Sequence, residues 1–306
     1  MIASELHDLI ESDRPPHILH VLPPEVFAAA RIPGSLNACV YEIAFLDQVR
    51  ALVPDLSAIV IVYGAGEGSL DAVTAVEKLR AAGYTQARPF DGGLAEWTAA
   101  GLPLEGTGQL PQPPVPDGAF RVDTVESVIR WTGRNLFNHH SGTVRLAGGE
   151  IILRQGQLVS ARFTIDMTSI ANEDLSDSAM KAMLIAHLRT ADFFDVEHHP
   201  TAEFIADAVE PIESCTEGTP NHLLRGTFTL RGISRPLEFL VLIAAKDDGQ
   251  HLTGQGVLEL DRTAYGSHYG SGKLFRYLGA HLVNDHIHLH VKIHAERERG
   301  VKRLSN

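Results

Sequence analysis

MLIAHLRTADFFDVEHHPTAEF, residues 183–204, decides how this chain is read. It opens as a short helical run, passes the pair Phe193 and Phe194, and turns extended at His199-Pro200, since a proline pushes the residue before it out of the helical region. On both sides of this stretch the apolar period becomes two. Downstream, Gly226, Phe228 and Leu230 alternate with Arg225, Thr227, Thr229 and Arg231. Leu237, Phe239, Val241 and Ile243 make the next apolar row, and Ile287, Leu289, Val291 and Ile293 the last, against His286, His288, His290 and Lys292. Upstream, Ala161, Phe163, Ile165 and Met167 share a face opposite Arg162, Thr164 and Asp166, and Ile129 and Trp131 lie opposite Arg130. Such alternation predicts an antiparallel sheet with one dry and one wet face. Closing it into a barrel removes the edges and puts the dry face inside. Parity alone leaves open whether those inward side chains fill a core or line a lumen.

The opening stretch resembles the YceI-like lipid-binding family at His187, Leu188, Arg189, Asp192, Phe193, Phe194, Asp195, Val196, Pro200 and Phe204. WTGR at 131–134, IDMTSI at 165–170, GTFTLRGISRPLEF at 226–239 and LDRTAYG at 260–266 extend the resemblance over nearly the whole C-terminal half. It implies a lipocalin-like barrel around a long isoprenoid or related alkyl chain, in a binding protein rather than an enzyme. Ile129, Trp131, Phe163, Ile165, Phe228, Leu230, Phe239 and Val241 are then the ligand-facing residues, with Arg262 and Arg276 as candidates for a polar or anionic head group. The segment 265–282 is longer than the family's usual hairpin. It reads either as a lid over the barrel mouth or as a surface loop packed down by Tyr265, Tyr269, Phe275 and Tyr277.

The N-terminal third has another grammar. HILHV at 17–21 reads as a buried strand before a helix start at Pro23-Pro24. IPGS at 32–35 is a turn, and AIVIVY at 58–63 is an unalternating run suited to a central parallel strand. A glycine loop follows through Gly64, Gly66 and Gly68, with Glu67 adding negative charge. Ser69 then stands as the cap of a helix built on Ala72, Val73, Val76 and Leu79. With GY at 83–84, DGGLAEW at 91–97 and AGLPLE at 100–105, this segment resembles the rhodanese-like domains. A working rhodanese loop starts at a nucleophilic cysteine and ends in Arg-Ser, with backbone N–H groups stabilising the thiolate. Here the cysteine position holds Tyr63, or Gly64 in the neighbouring register, and the arginine position holds Gly68. His20 and Arg31 replace the usual aspartate and histidine. The resemblance therefore implies a catalytically degenerate domain in which Tyr63, Gly64, Gly66, Gly68 and Ser69 are what remains of the loop.

Between the halves, residues 106–117 carry four prolines and read as a semi-rigid spacer. The expected organisation is α/β plus all-β: a rhodanese-like parallel-sheet domain at 1–105, the linker, a lipocalin-like antiparallel β-barrel at 118–300 and a tail at 301–306. A net charge of −12 argues against nucleic acid as partner. Two cysteines, Cys39 and Cys215, suit a reducing compartment, and with no signal peptide or apolar span legible the expectation is a cytoplasmic protein without a membrane span. No cofactor is expected beyond a bound polyisoprenoid or other long-chain lipid, and no metal. The sixteen histidines, clustered at 139–140, 198–199 and 286–294, read as solvent-facing rather than ligating. Two other function classes stay in view: a sulfurtransferase or metal-dependent enzyme using Cys39 or those histidines, and a protein-interaction scaffold working through the rhodanese-like domain.

Overall fold

The β-branched runs become strands in two separate compact units, Met1–Gln112 and Pro113–Asn306. The computed structural model describes residues 1–298 apart from 67, 111, 113, 247 and 248. Glu67, two of the linker prolines, the last residues of the expected barrel span and the tail at 301–306 therefore lie outside the described residues.

In the first unit four parallel strands run in the order β2 (Leu36–Asn37), β1 (His17–His20), β3 (Val60–Tyr63) and β4 (Ala87–Pro89). All four residues of β3 are buried, as a strand covered on both faces must be. The helices are α1 (Ala3–Ile10), α2 (Pro24–Ala29), α3 (Phe45–Leu52), α4 (Asp71–Ala81) and α5 (Gly93–Ala99). One apolar cluster gathers Leu19, Val62, Val76 and Leu79, and another gathers Leu6, Ile18, Ile61, Tyr63 and Trp97. Two expectations are corrected here. Ser69 does not cap α4, because the helix starts two residues later and the Ser69 hydroxyl donates to Asp71 instead. Val73 is exposed, and Ala75 takes the inward place beside Ala72 and Val76.

The second unit is a closed antiparallel barrel of eight strands: β6 (Val128–Arg134), β7 (His139–Arg154), β8 (Gln157–Asn172), β9 (Thr201–Pro211), β10 (His222–Leu230), β11 (Ile233–Lys246), β12 (His251–Asp261) and β13 (His286–Arg297), with β13 pairing back onto β6. The short β5 (Gly118–Val122) lies below β6 in the same gap, between Glu150–Leu153 of β7 and Ala295–Arg297 of β13. Register shifts in β7–β8 and β9–β10 supply the extra twist that curls the sheet shut. The wall is uneven. β11 and β12 share a ladder only from Val241↔Gly256 to Lys246↔His251, and above it Pro236 has no N–H to offer. A short helical turn, Arg262–Tyr265, sits beside β11 there, with the Arg235 Nε donating to the Ala264 carbonyl at 3.4 Å. Between β8 and β9, α6 (Ser178–Arg189) starts at Asp177, whose carboxylate accepts the Met180 N–H at 2.8 Å.

Candidate functional site

The inward rows of the barrel do not meet in the middle. They enclose a cavity of about 390 Å³, within the range of ligand sites, which runs from about 300 to 1,000 Å³. The residues expected to face the ligand reach it, Ile129 and Trp131 from β6, Phe163 and Ile165 from β8, Phe228 and Leu230 from β10, and Phe239 and Val241 from β11, and so does Arg262, one of the two head-group candidates. Trp131 is held by its indole N–H, which donates to the Thr143 carbonyl at 3.3 Å. On β12 the inward positions Gly254 and Gly256 offer no side chain, so the backbone from Thr253 to Gly256 forms the wall. A Cβ at Gly254 would find only Ile293 within 4 Å, at 3.8 Å, whereas one at Gly256 would meet three atoms at 3.2 Å.

The two ends of the cavity differ in chemistry. At the β5 end, Phe120, Val122, Leu153 and Ala295 are buried in the core and lie below the lining, so the floor is apolar and closed. At the other end α6 and its following turn bring in Leu184, His187, Leu188, Phe193 and Phe194. Beside them Arg134, Asn135, Asn138, His140, His281 and Asn284 form a polar rim. No aspartate or glutamate is among the lining residues. His140 meets Asp174 at 3.0 Å through Nδ1, behind the rim. Burial raises the Asp174 pKa, but hydrogen bonds from the Ser141 N–H, His140 and Asn172 outweigh it and hold the carboxyl at about 2.

Arg262 touches the cavity but its donors face elsewhere. The side chain is 1% exposed, and it donates to the carbonyls of Asn284 (3.0 Å), Ser267 (2.6 Å), Tyr269 (2.8 Å) and Val283 (3.1 Å), with Asp285 at 3.8 Å. Four of its five N–H groups thus staple the segment after β12. Arg276 is exposed and does not line the cavity. The staple also decides between lid and loop for residues 265–282. Tyr265 is buried with its ring 5.5 Å from that of Phe228, and Tyr269 stacks edge-on with His187 at 4.7 Å, while Phe275 and Tyr277 stay in solvent. The segment is anchored at its base and free at its tip. Sequence reasoning missed the Arg134–His140–His281 rim. Its one visible signal was WTGR, whose arginine ends a strand and escapes the alternation.

In the first unit the glycine loop opens at Gly64. Tyr63 ends β3 with its side chain in the core, where its hydroxyl accepts the Ile32 N–H at 3.0 Å and donates to Ser35 Oγ at 2.9 Å. Burial pushes that phenol well above its ordinary pKa. Gly66 and Gly68 take left-handed φ angles of 87° and 83°. The concave side of the loop is occupied by Asp71. Its carboxylate accepts the Ala65 N–H (3.0 Å), the Ser69 hydroxyl (2.8 Å) and the Ala72 N–H (2.6 Å), and a Cβ at Gly64 would lie 2.2 Å from its Cγ. His20 is fully buried nearby, and burial outweighs the attraction of Asp71 to bring its pKa down to about 4. Cys39 is buried and Cys215 exposed. Among the described residues no three histidine, cysteine or acidic side chains come together as metal ligands would, and no helix is long and apolar enough to cross a membrane.

The comparisons with known proteins follow the same two-part division. Solved structures similar to this chain include Burkholderia cenocepacia BcnA, 22% identical, covering 56% of this chain and 98% of that one with a TM-score of 0.45. A polyisoprenoid binding domain from Saccharophagus degradans is 12% identical over 58% of this chain and 98% of its own, with a TM-score of 0.42. The Alr3790 protein from Anabaena sp. is 30% identical over 35% of this chain and 91% of its own, with a TM-score of 0.32. No curated protein matches. A Rhodanese-like domain profile matches residues 2–100 and a YceI-like domain profile matches residues 120–295. The chain therefore belongs to the YceI-like domain family, with a rhodanese-like domain preceding the barrel.

Proposed function

We propose that the barrel holds the hydrocarbon chain of a polyisoprenoid, quinone-like or fatty ligand, and that the rhodanese-like domain is a catalytically inactive module for docking or regulation. The observation that carries the first part is the cavity itself: apolar along its length, closed at the floor, and polar only at the rim. An alkyl chain gains roughly 0.8 kcal/mol for each CH₂ removed from water, so a long chain needs few polar contacts. With Arg262 engaged by carbonyls, Arg134 is the rim cation best placed for a polar or anionic head, aided by His140 and His281. Native mass spectrometry with organic extraction tests this. A co-purifying hydrophobic molecule supports it, while Phe228→Ser and Leu230→Gln variants with intact melts that retain a labelled prenyl chain as well as wild type would refute it.

The second part rests on Asp71. A loop whose N–H groups would steady a thiolate instead holds the chain's own carboxylate, and the first loop position is a glycine with no room for a side chain. Thiosulfate-to-cyanide transfer should run no faster than buffer, in wild type and in Cys39→Ser alike. Gly64→Cys alone should stay inactive. A Cys39-dependent rate in the wild type would overturn the reading.

A further inference from the structure

Two neighbouring loops make one side of the barrel mouth: residues 135–138 between β6 and β7, and residues 266–284 after the helical turn. They are tied by the Asn135–Val283 bridge and by the Asn284 N–H donating to the Arg134 carbonyl at 2.8 Å. Their tips carry Leu136, Phe137, Leu274, Phe275 and Tyr277, all exposed, Phe137 by 78% and Tyr277 completely. Arg134, Lys273 and Arg276 stand exposed among them, and of these only Lys273 approaches an acid, Asp261 at 3.5 Å. In a chain of net charge −12, no aspartate or glutamate occurs from 262 to 284 or from 127 to 149. Asp261 and Asp285 flank the second loop, the first 3.5 Å from Lys273 and the second 3.8 Å from Arg262, while Glu173, Asp174, Asp177, Asp192, Asp195 and Glu197 lie in the segment around α6.

Clustered large apolar side chains on loop tips mark a surface that something covers. Aromatic and aliphatic tips mixed with arginine and lysine, and free of carboxylates, fit the head-group layer of a bilayer, where rings settle at the interface and cations are drawn to anionic lipids. The end of β6 and these two loops supply Arg134, Asn135, Asn138 and His281 to the cavity rim, so whatever covers the tips also faces the lumen. We propose that this face docks on the surface of an anionic lipid bilayer, setting the mouth of the barrel against the membrane from which it draws or to which it returns its chain. The geometry stands on its own, and only the purpose rests on the lumen reading.

Flotation of the full chain with phosphatidylcholine vesicles, with and without phosphatidylglycerol, tests this at low salt. Wild type should float with the anionic vesicles and far less with the neutral ones. Phe137→Ser combined with Tyr277→Ser should lose flotation, and Arg276→Ala should weaken it roughly five-fold on anionic vesicles only. Neither touches the lining, so both should keep the wild-type melt and the uptake of a detergent-delivered labelled prenyl chain. Wild type that stays with the soluble fraction, or a double variant that floats as well as wild type, would overturn the proposal. Flotation without any chain uptake would sustain it and sink the lumen reading instead.

Discussion

Replacing Gly254 with leucine should fill the lumen from its wall. Gly254 pairs with Ile243 on one side and Ile293 on the other, both facing inward, and a Cβ there has open space beyond Ile293 at 3.8 Å. A leucine brings four carbons into space a ligand chain would otherwise use. Displacing about four methylenes at ~0.8 kcal/mol each costs about 3 kcal/mol, roughly a two-hundred-fold loss of affinity. The empty protein should move the other way. Burying a leucine in an apolar void and removing a strand glycine should raise its stability by about 1–2 kcal/mol. Displacement of a labelled prenyl or fatty chain gives the first quantity and urea denaturation the second. Gly256→Leu, crowded at 3.2 Å by Leu240, Phe239 and Val241, should simply destabilise. A Gly254→Leu protein that melts normally and still binds like wild type would show that the chain does not occupy this part of the barrel.

The N-terminal unit should weaken in mild acid. With the folded His20 pKa lowered from 6.5 to about 4, the unfolded chain takes up the proton first, so stability present above about pH 6.5 falls by on the order of 3 kcal/mol as pH drops toward 4. In a Trp131→Phe background Trp97 reports this unit alone, and a slope that persists in His20→Asn would refute the assignment. Arg262→Ala should destabilise the barrel by about 3 kcal/mol or more, because four carbonyls lose charge-assisted partners; reduced chain affinity with an unchanged denaturation midpoint would instead make it a head-group ligand. Residues 1–105 and 118–300 expressed separately should each melt cooperatively, and aggregation of the barrel piece without the other would reveal a shared apolar interface.

The barrel was legible because strand alternation survives in nearly every wall segment, and DFFD between a helix and a proline fixed its kind. Period-two reading also placed Trp131, Phe163, Phe228 and Phe239 on the cavity side. It failed for charged residues at strand ends. Arg262 stood as a head-group candidate, and only the folded path of 267–285 brings four carbonyls around it. Asp71 left no mark beyond lying two residues after Ser69, since a carboxylate folding back into its own loop is a property of backbone geometry rather than spacing. Arg134 was quoted within WTGR, but its place on the rim depends on the meeting of β6 with the segment before β13, a contact distant in sequence.

The partial ladder between β11 and β12 makes the barrel a container with a seam. The β8–β9 ladder is shorter still, from Arg162↔Ile205 to Asp166↔Thr201, but α6 and its following turn join those two strands at the mouth, whereas β11 and β12 have only the Arg262–Tyr265 turn beside them there. Along this seam six residue pairs at the lower end act as a hinge, and above them the strands are separated by a side-chain contact and a single helical turn. The lumen can therefore widen here toward the mouth, and a bulkier or branched chain can be accommodated by spreading the upper seam without unzipping any strand pair. Amide exchange should record this as fast, ligand-sensitive positions at Leu240 and Glu238, on a strand whose other edge stays protected by β10.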